Sequence, residues 1–116
     1  MDLIACLSSG KGTWGHVNRL IEDQEWENIY LITNEFGKEN FHTEKKVELI
    51  IINSSQGLKE LRAEIEGKLK DKLKIDVALN LVSGTGKEHM AILGALLKIG
   101  VGIRLMALTK NGIEEI

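Results

Sequence analysis

The sequence predicts an α/β protein: a three-layer sandwich on a mainly parallel sheet of order 3-2-1-4-5, with a C-terminal antiparallel hairpin strand. Three observations carry this. Short apolar runs recur along the chain, each ended by a polar or glycine-rich segment. Segments with apolar residues at spacings of three and four lie between them, and the alternation of strand and helix continues almost to the end. The length of 116 residues fits one domain spanning 1–116.

Leu3-Ile4-Ala5-Cys6-Leu7 is the first run, stopping at Ser8-Ser9-Gly10, as expected of a strand buried on both faces. Helical spacing follows: Trp14, Val17, Leu20 and Ile21 share a face, with Thr13 as the expected N-cap. Ile29 to Ile32 is the second strand, and 35–46 is polar, with one helical turn expected around Phe36 to Phe41. Val47 to Ile52 is the third strand. A helix then starts near Gly57, with Leu58, Leu61, Ile65, Leu69 and Leu73 on one stripe and a solvated charged face opposite. Val77 to Val82 is the fourth strand, and an unusually apolar helix runs from about Glu88 to Ile99. Ile103 to Leu108 is the fifth strand, joined to Ile113–Ile116 by a turn of the Asn-Gly type at Asn111-Gly112.

Composition excludes several function classes. A hydrophobic content of 43% with no proline excludes a disordered or collagen-like chain. With 15 Lys+Arg against 17 Asp+Glu, the net charge of −2 argues against coating long DNA or RNA, though it allows a local basic pocket. The lone Cys6 cannot form an internal disulfide and reads as a buried thiol in a reducing compartment. Met1-Asp2-Leu3 lacks the features of a signal peptide, and the apolar-rich Ala91–Leu108 is broken by Lys98 and Arg104. A soluble cytoplasmic protein without membrane association is expected.

Two loops share one design. Ser8-Ser9-Gly10-Lys11-Gly12-Thr13 follows strand one, and Ser83-Gly84-Thr85-Gly86-Lys87 follows strand four. Each joins the C-terminal end of a buried strand to a helix. Small residues let the backbone approach a ligand, while free helix N–H groups and one lysine favour an anion. In the expected strand order the two loops flank the topological switch point and open on one crevice. Neither is a P-loop: Leu81 and Glu88 stand where Gly and Ser/Thr are needed around Gly86-Lys87, and Ala5 and Gly12 around Gly10-Lys11. The literal match Gly10-x-Gly12-x-x-Gly15 would place Trp14 against a pyrophosphate, and no acidic residue ends strand two, Glu35 lying just beyond it. No dinucleotide or other cofactor is expected.

His16 and His89 fall in the first turns after the two loops and are candidates to face the crevice. Without a third ligand in a metal-binding pattern, no metal is expected. His42 reads as solvated. Trp14 could stack on a base or pack in the core; Trp26 reads as packing.

Asn80-Leu81-Val82-Ser83-Gly84-Thr85-Gly86-Lys87-Glu88-His89-Met90-Ala91 resembles the signature after strand four of CARF domains, the CRISPR-associated Rossmann fold, in which a strand ends in Asn-hydrophobic-Thr-Gly-Gly-Thr-Lys before a helix with Met. Ser8-Ser9-Gly10-Lys11 falls where that family has its other ligand-binding segment, and the closing hairpin through Asn111-Gly112 is also similar. Val82 and Ser83 stand where Thr and Gly are usual, and Gly86 is inserted before the lysine. The resemblance implies a Rossmann-like, stand-alone homodimeric sensor of cyclic oligoadenylates, the messengers of type III CRISPR antiviral defence. It further implies that a chain without an effector domain could itself act as a metal-independent ring nuclease. The ligand-binding set would be Ser8, Ser9, Gly10, Lys11, Gly12, Thr13, Asn80, Ser83, Gly84, Thr85, Gly86, Lys87 and His89, with Lys11, Lys87, Ser9 and His16 as candidate catalytic groups. The nearly all-apolar helix 88–99 favours association independently. Two alternatives are an unrelated small Rossmann-like nucleotide-binding or nucleotide-hydrolysing protein, and a non-catalytic assembly or sensor subunit.

Overall fold

A computed structural model of the chain describes residues 1–8 and 10–116. Six strands, β1 (Asp2–Leu7), β2 (Ile29–Thr33), β3 (Glu48–Ile51), β4 (Asp76–Asn80), β5 (Gly102–Thr109) and β6 (Gly112–Glu115), form one sheet of order β3-β2-β1-β4-β5-β6. All pairings are parallel except the β5–β6 hairpin. The helices are α1 (Trp14–Asp23), α2 (Glu35–Asn40), α3 (Leu58–Leu69) and α4 (Gly86–Ile99), with a 3₁₀ turn at Lys11–Thr13 ahead of α1. This is the α/β class with the mostly parallel sheet and closing hairpin that the sequence predicts.

The alternation of side chains along the strands divides the core in two. Ile4, Cys6, Ile32, Val77 and Leu79 face α3 and α4, meeting Leu61, Ile65, Ile92 and Leu96. Leu3, Ala5, Leu7, Leu31 and Ala78 face the other way, onto Trp14, Val17, Leu20 and Ile21 of α1. All six residues of β1 are buried, as a central strand covered on both faces must be.

Several boundaries differ from the sequence expectation. β4 ends at Asn80 rather than Val82, because the Asn80 side-chain carbonyl accepts the Val82 N–H at 3.2 Å and turns the chain out of the sheet. Thr13 makes no side-chain cap; the 3₁₀ turn brings the chain into α1 instead. α4 starts two residues early, since Thr85 and Glu88 close a capping box. The hairpin loop is Lys110-Asn111, with Thr109 opposite Gly112; no described non-glycine residue has positive φ, so the left-handed residue is Gly112 itself and not a central Asn-Gly pair.

Gly37 shows how closely α2 is seated on the sheet. A Cβ there would lie 1.9 Å from Thr33 Oγ1 and 3.1 Å from the Leu7 carbonyl. Gly37→Ala should therefore destabilise the fold by about 1–3 kcal/mol. Gly67→Ala, on the exposed face of α3 with nothing within 4 Å, should stabilise it by up to about 1 kcal/mol. Urea unfolding of both variants checks the pair, and equal effects would refute the packing argument.

Candidate functional site

β1 and β4 lie side by side, with Ala5 opposite Asn80, so the loops that follow them leave from adjacent strand ends. A single buried carboxylate joins those loops. Glu88, only 2% exposed, accepts the Ser8 hydroxyl at 2.8 Å and the Thr85 backbone N–H at 2.8 Å on Oε1. Its Oε2 accepts the Ser54 hydroxyl at 2.6 Å. Ends of β1, β3 and β4 are thus tied to the first turn of α4. Burial pushes the Glu88 carboxyl up, but the bonds from Ser54, Thr85 and Ser8 outweigh it and hold its pKa below the ordinary value.

Gly84 makes this convergence possible. Its φ is +108°, and a Cβ would sit 2.6 Å from Cys6 Sγ and 3.0 Å from both Glu88 Oε1 and His89 Nε2. Cys6 is buried beneath, with its thiol pushed up to about 12 by burial and then by the Glu88 charge. It stays protonated and unreactive, as a core residue. His89 Nε2 is 2.8 Å from the Ser83 carbonyl, to which it donates, and Ser83 Oγ is buried with no hydrogen-bond partner among the described residues.

A second polar knot holds the opposite face. Asn80, 2% exposed, donates from Nδ2 to His16 Nε2 at 3.1 Å and to the Met106 carbonyl at 2.8 Å. The Leu108 N–H also reaches His16 Nε2 at 3.3 Å. Two donors converge on that nitrogen, which assigns the proton to Nδ1, and burial lowers the His16 pKa so that the ring stays neutral.

The structure brings Ser8, Ser83, Gly84, Thr85, Gly86, Lys87, Glu88 and His89 together; His16 and Asn80 stand as a separate pair. Ser9 lies outside the described residues. Ser8 and Asn80 are buried and spend their donors internally, so they position the loops. Lys87 is exposed and donates to the carbonyls of Ser54, at 2.9 Å, and Gln56. Lys11 is exposed too, its ammonium 5.8 Å from the Trp14 ring centre and 5.5 Å from that of Phe36. Trp14 packs in the core and donates to the Ser8 carbonyl at 3.0 Å, which fixes the first loop from below. Gly10, Gly12 and Thr13 lie at the turn into α1, and Gly86 opens α4. Thr85 serves the Glu88 and His89 N–H groups, while those of Gly86 and Lys87 have no partner among the described residues.

Sequence reasoning missed Glu88 as the hub and Ser54 as its partner. Thr85-x-x-Glu88 was legible as a capping box, but nothing local marks Ser54, 34 positions away from Glu88. No group of three or more His, Cys, Asp or Glu among the described residues is placed to hold a metal ion. No helix among the described residues is long and apolar enough to cross a membrane. The chain matches no protein-family model and no curated protein.

The lowered Glu88 pKa fixes the sign of its pH dependence. Its stabilisation is full above the unfolded value of about 4.5 and is lost as pH falls through the folded value. Glu88→Gln should cost about 2 kcal/mol at neutral pH. The gap between wild type and variant should narrow as pH falls below about 4.5, where the unfolded chain takes up the proton while the native carboxyl, its pKa lowered, is still ionised. Unfolding free energies measured across that range check it; a gap independent of pH would show that the charge is not what holds the loops.

Proposed function

We propose that the chain binds a cyclic oligoadenylate at a homodimer interface. The observation that carries this reading is the join between the two small-residue loops: β1 and β4 are paired, and Ser8 of one loop is bonded to Glu88 behind the other. The loops leave adjacent strand ends at the switch point of the sheet, each brings one lysine, and the start of α4 supplies N–H groups, a combination suited to phosphate. The resemblance of Asn80–Ala91 to the CARF signature narrows the anion to a cyclic oligoadenylate.

A ring with internal two-fold symmetry matches a dimer whose two crevices meet on the axis. The surface that suits a second copy is on α4 itself. Met90 is 63% and Leu97 70% exposed, and with Leu58, Leu93 and Arg62 they line an apolar groove of about 370 Å³ between α3 and α4. Because α4 begins at the ligand loop, a partner whose α4 runs parallel to the first would carry its own loop towards it. Cleavage, where it occurs, would use the ribose 2′-hydroxyl: its oxygen attacks the adjacent phosphorus, the P–O5′ bond breaks, a 2′,3′-cyclic phosphate forms, and the departing 5′-oxygen takes up a proton. The protein's share is alignment and charge stabilisation by Lys11, Lys87 and the loop N–H groups.

Cyclic tetra- or hexa-adenylate should raise the melting temperature, and Lys87→Ala should abolish the shift. Absence of a shift with any ring size at high concentration would overturn the reading, and a preference for mononucleotides or dinucleotides would favour a small Rossmann-like nucleotide enzyme instead. Excess protein with labelled ring and no added metal should give linear product if the chain is a ring nuclease; intact ring would leave a sensor.

The dimer has its own test. Leu97→Glu should convert the dimer to monomer in sedimentation velocity while leaving the unliganded melting temperature within a few degrees, since the side chain is mostly exposed. An unchanged sedimentation coefficient would remove α4 from the interface.

A further inference from the structure

We infer that Phe36 is the base-stacking residue of the site, taking the purine of a nucleotide whose phosphate lies on Lys11; this rests on the nucleotide reading above. The chain has five aromatic residues, and Phe36, at 43%, is the one among them that is exposed. Its position is at the ligand edge of the sheet. Leu7 and Thr33 are opposite each other at the ends of β1 and β2, so the segment after Thr33 lies beside the loop after Leu7.

The ring is held rather than left to drift. Asn34 Oδ1 accepts the Gly37 N–H at 2.9 Å, Asn40 donates to the Phe36 carbonyl at 2.8 Å, and Gly37 lets this short helix sit directly on Thr33. Below, Phe36 leans on Trp14 with ring centres 5.8 Å apart, and Trp14 meets Phe41 edge-on at 5.7 Å. Buried Trp14 and half-buried Phe41 thus carry one exposed ring. The Lys11 side chain lies across it, its ammonium over both Phe36 and Trp14. A phosphate that draws the ammonium away uncovers the ring, and a purine can then take its place. One lysine and one ring would read the two ends of a nucleotide.

Isothermal titration of cyclic tetra-adenylate, AMP and ribose 5-phosphate into wild type and two variants tests this. Phe36→Leu keeps apolar packing against Trp14 but removes the aromatic face; Phe36→Trp restores it. The leucine variant should bind cyclic tetra-adenylate and AMP about tenfold more weakly, with the tryptophan variant near wild type and ribose 5-phosphate unaffected. Wild-type affinity in the leucine variant, or an equal loss for ribose 5-phosphate, would overturn the stacking role while leaving the function intact. A wild-type protein that binds none of the adenylates would overturn both.

Discussion

One buried charge organises the candidate site. A carboxylate removed from water is expensive unless hydrogen bonds replace its hydration. Glu88 finds its replacements on three separate segments: Ser8 after β1, Ser54 after β3 and the Thr85 backbone after β4. Each segment is thereby fixed by an interaction that would be lost at considerable cost, and the loops inherit the rigidity of the strands behind them. The same bonds decide what the site offers a ligand. Ser8 and Ser54 direct their protons at Glu88 and do not offer them to an anion.

Rigidity is distributed unevenly along the strands. At the C-terminal edge of the sheet, Glu88 and the Asn80–His16 pair lock both faces with buried hydrogen bonds, where local dielectric makes them strong. At the opposite edge, where Asp2 is also buried and accepts from Asn28 at 3.1 Å, Glu27 pairs at 2.7 Å with both the N-terminal ammonium and Lys74, on a carboxylate exposed to water. Such pairs contribute little to stability.

The central strands β1, β2 and β4 were legible because they are buried on both faces and so read as nearly unbroken apolar runs, as in Leu3–Leu7. The placement of the two loops followed from topology alone, since a right-handed doubly wound chain puts strands one and four together. What the sequence did not disclose is which polar residues are consumed internally. Asn80 looks like a ligand residue within the CARF-like run, yet its amide is spent on His16, Met106 and Val82. Glu88 closes a capping box with Thr85, yet its hydroxyl partners Ser8 and Ser54 lie 80 and 34 positions away. Such assignments depend on long-range contacts, and no local spacing encodes them. The apolar character of α4 was similarly ambiguous: Ala91, Ile92, Ala95 and Leu96 are core, whereas Met90 and Leu97 on the same helix are not.

The ionised Glu88 also constrains how an anion could be held. With a net charge of −2 and a carboxylate beneath the loops, the protein has no broad positive field to draw a polyanion from a distance. Attraction is left to lysines acting at close range, within a screening length of about 8 Å at physiological salt. One of them, Lys87, already satisfies two backbone carbonyls, and the other, Lys11, lies on aromatic rings. Recruiting either to a phosphate therefore exchanges existing contacts for new ones, and the electrostatic gain is a difference rather than a sum. For such a site charge alone is a weak source of affinity, and the larger share must come from surface removed from water. An aromatic face beside a lysine and an apolar helix beside a ligand loop are the two features of this chain able to supply it.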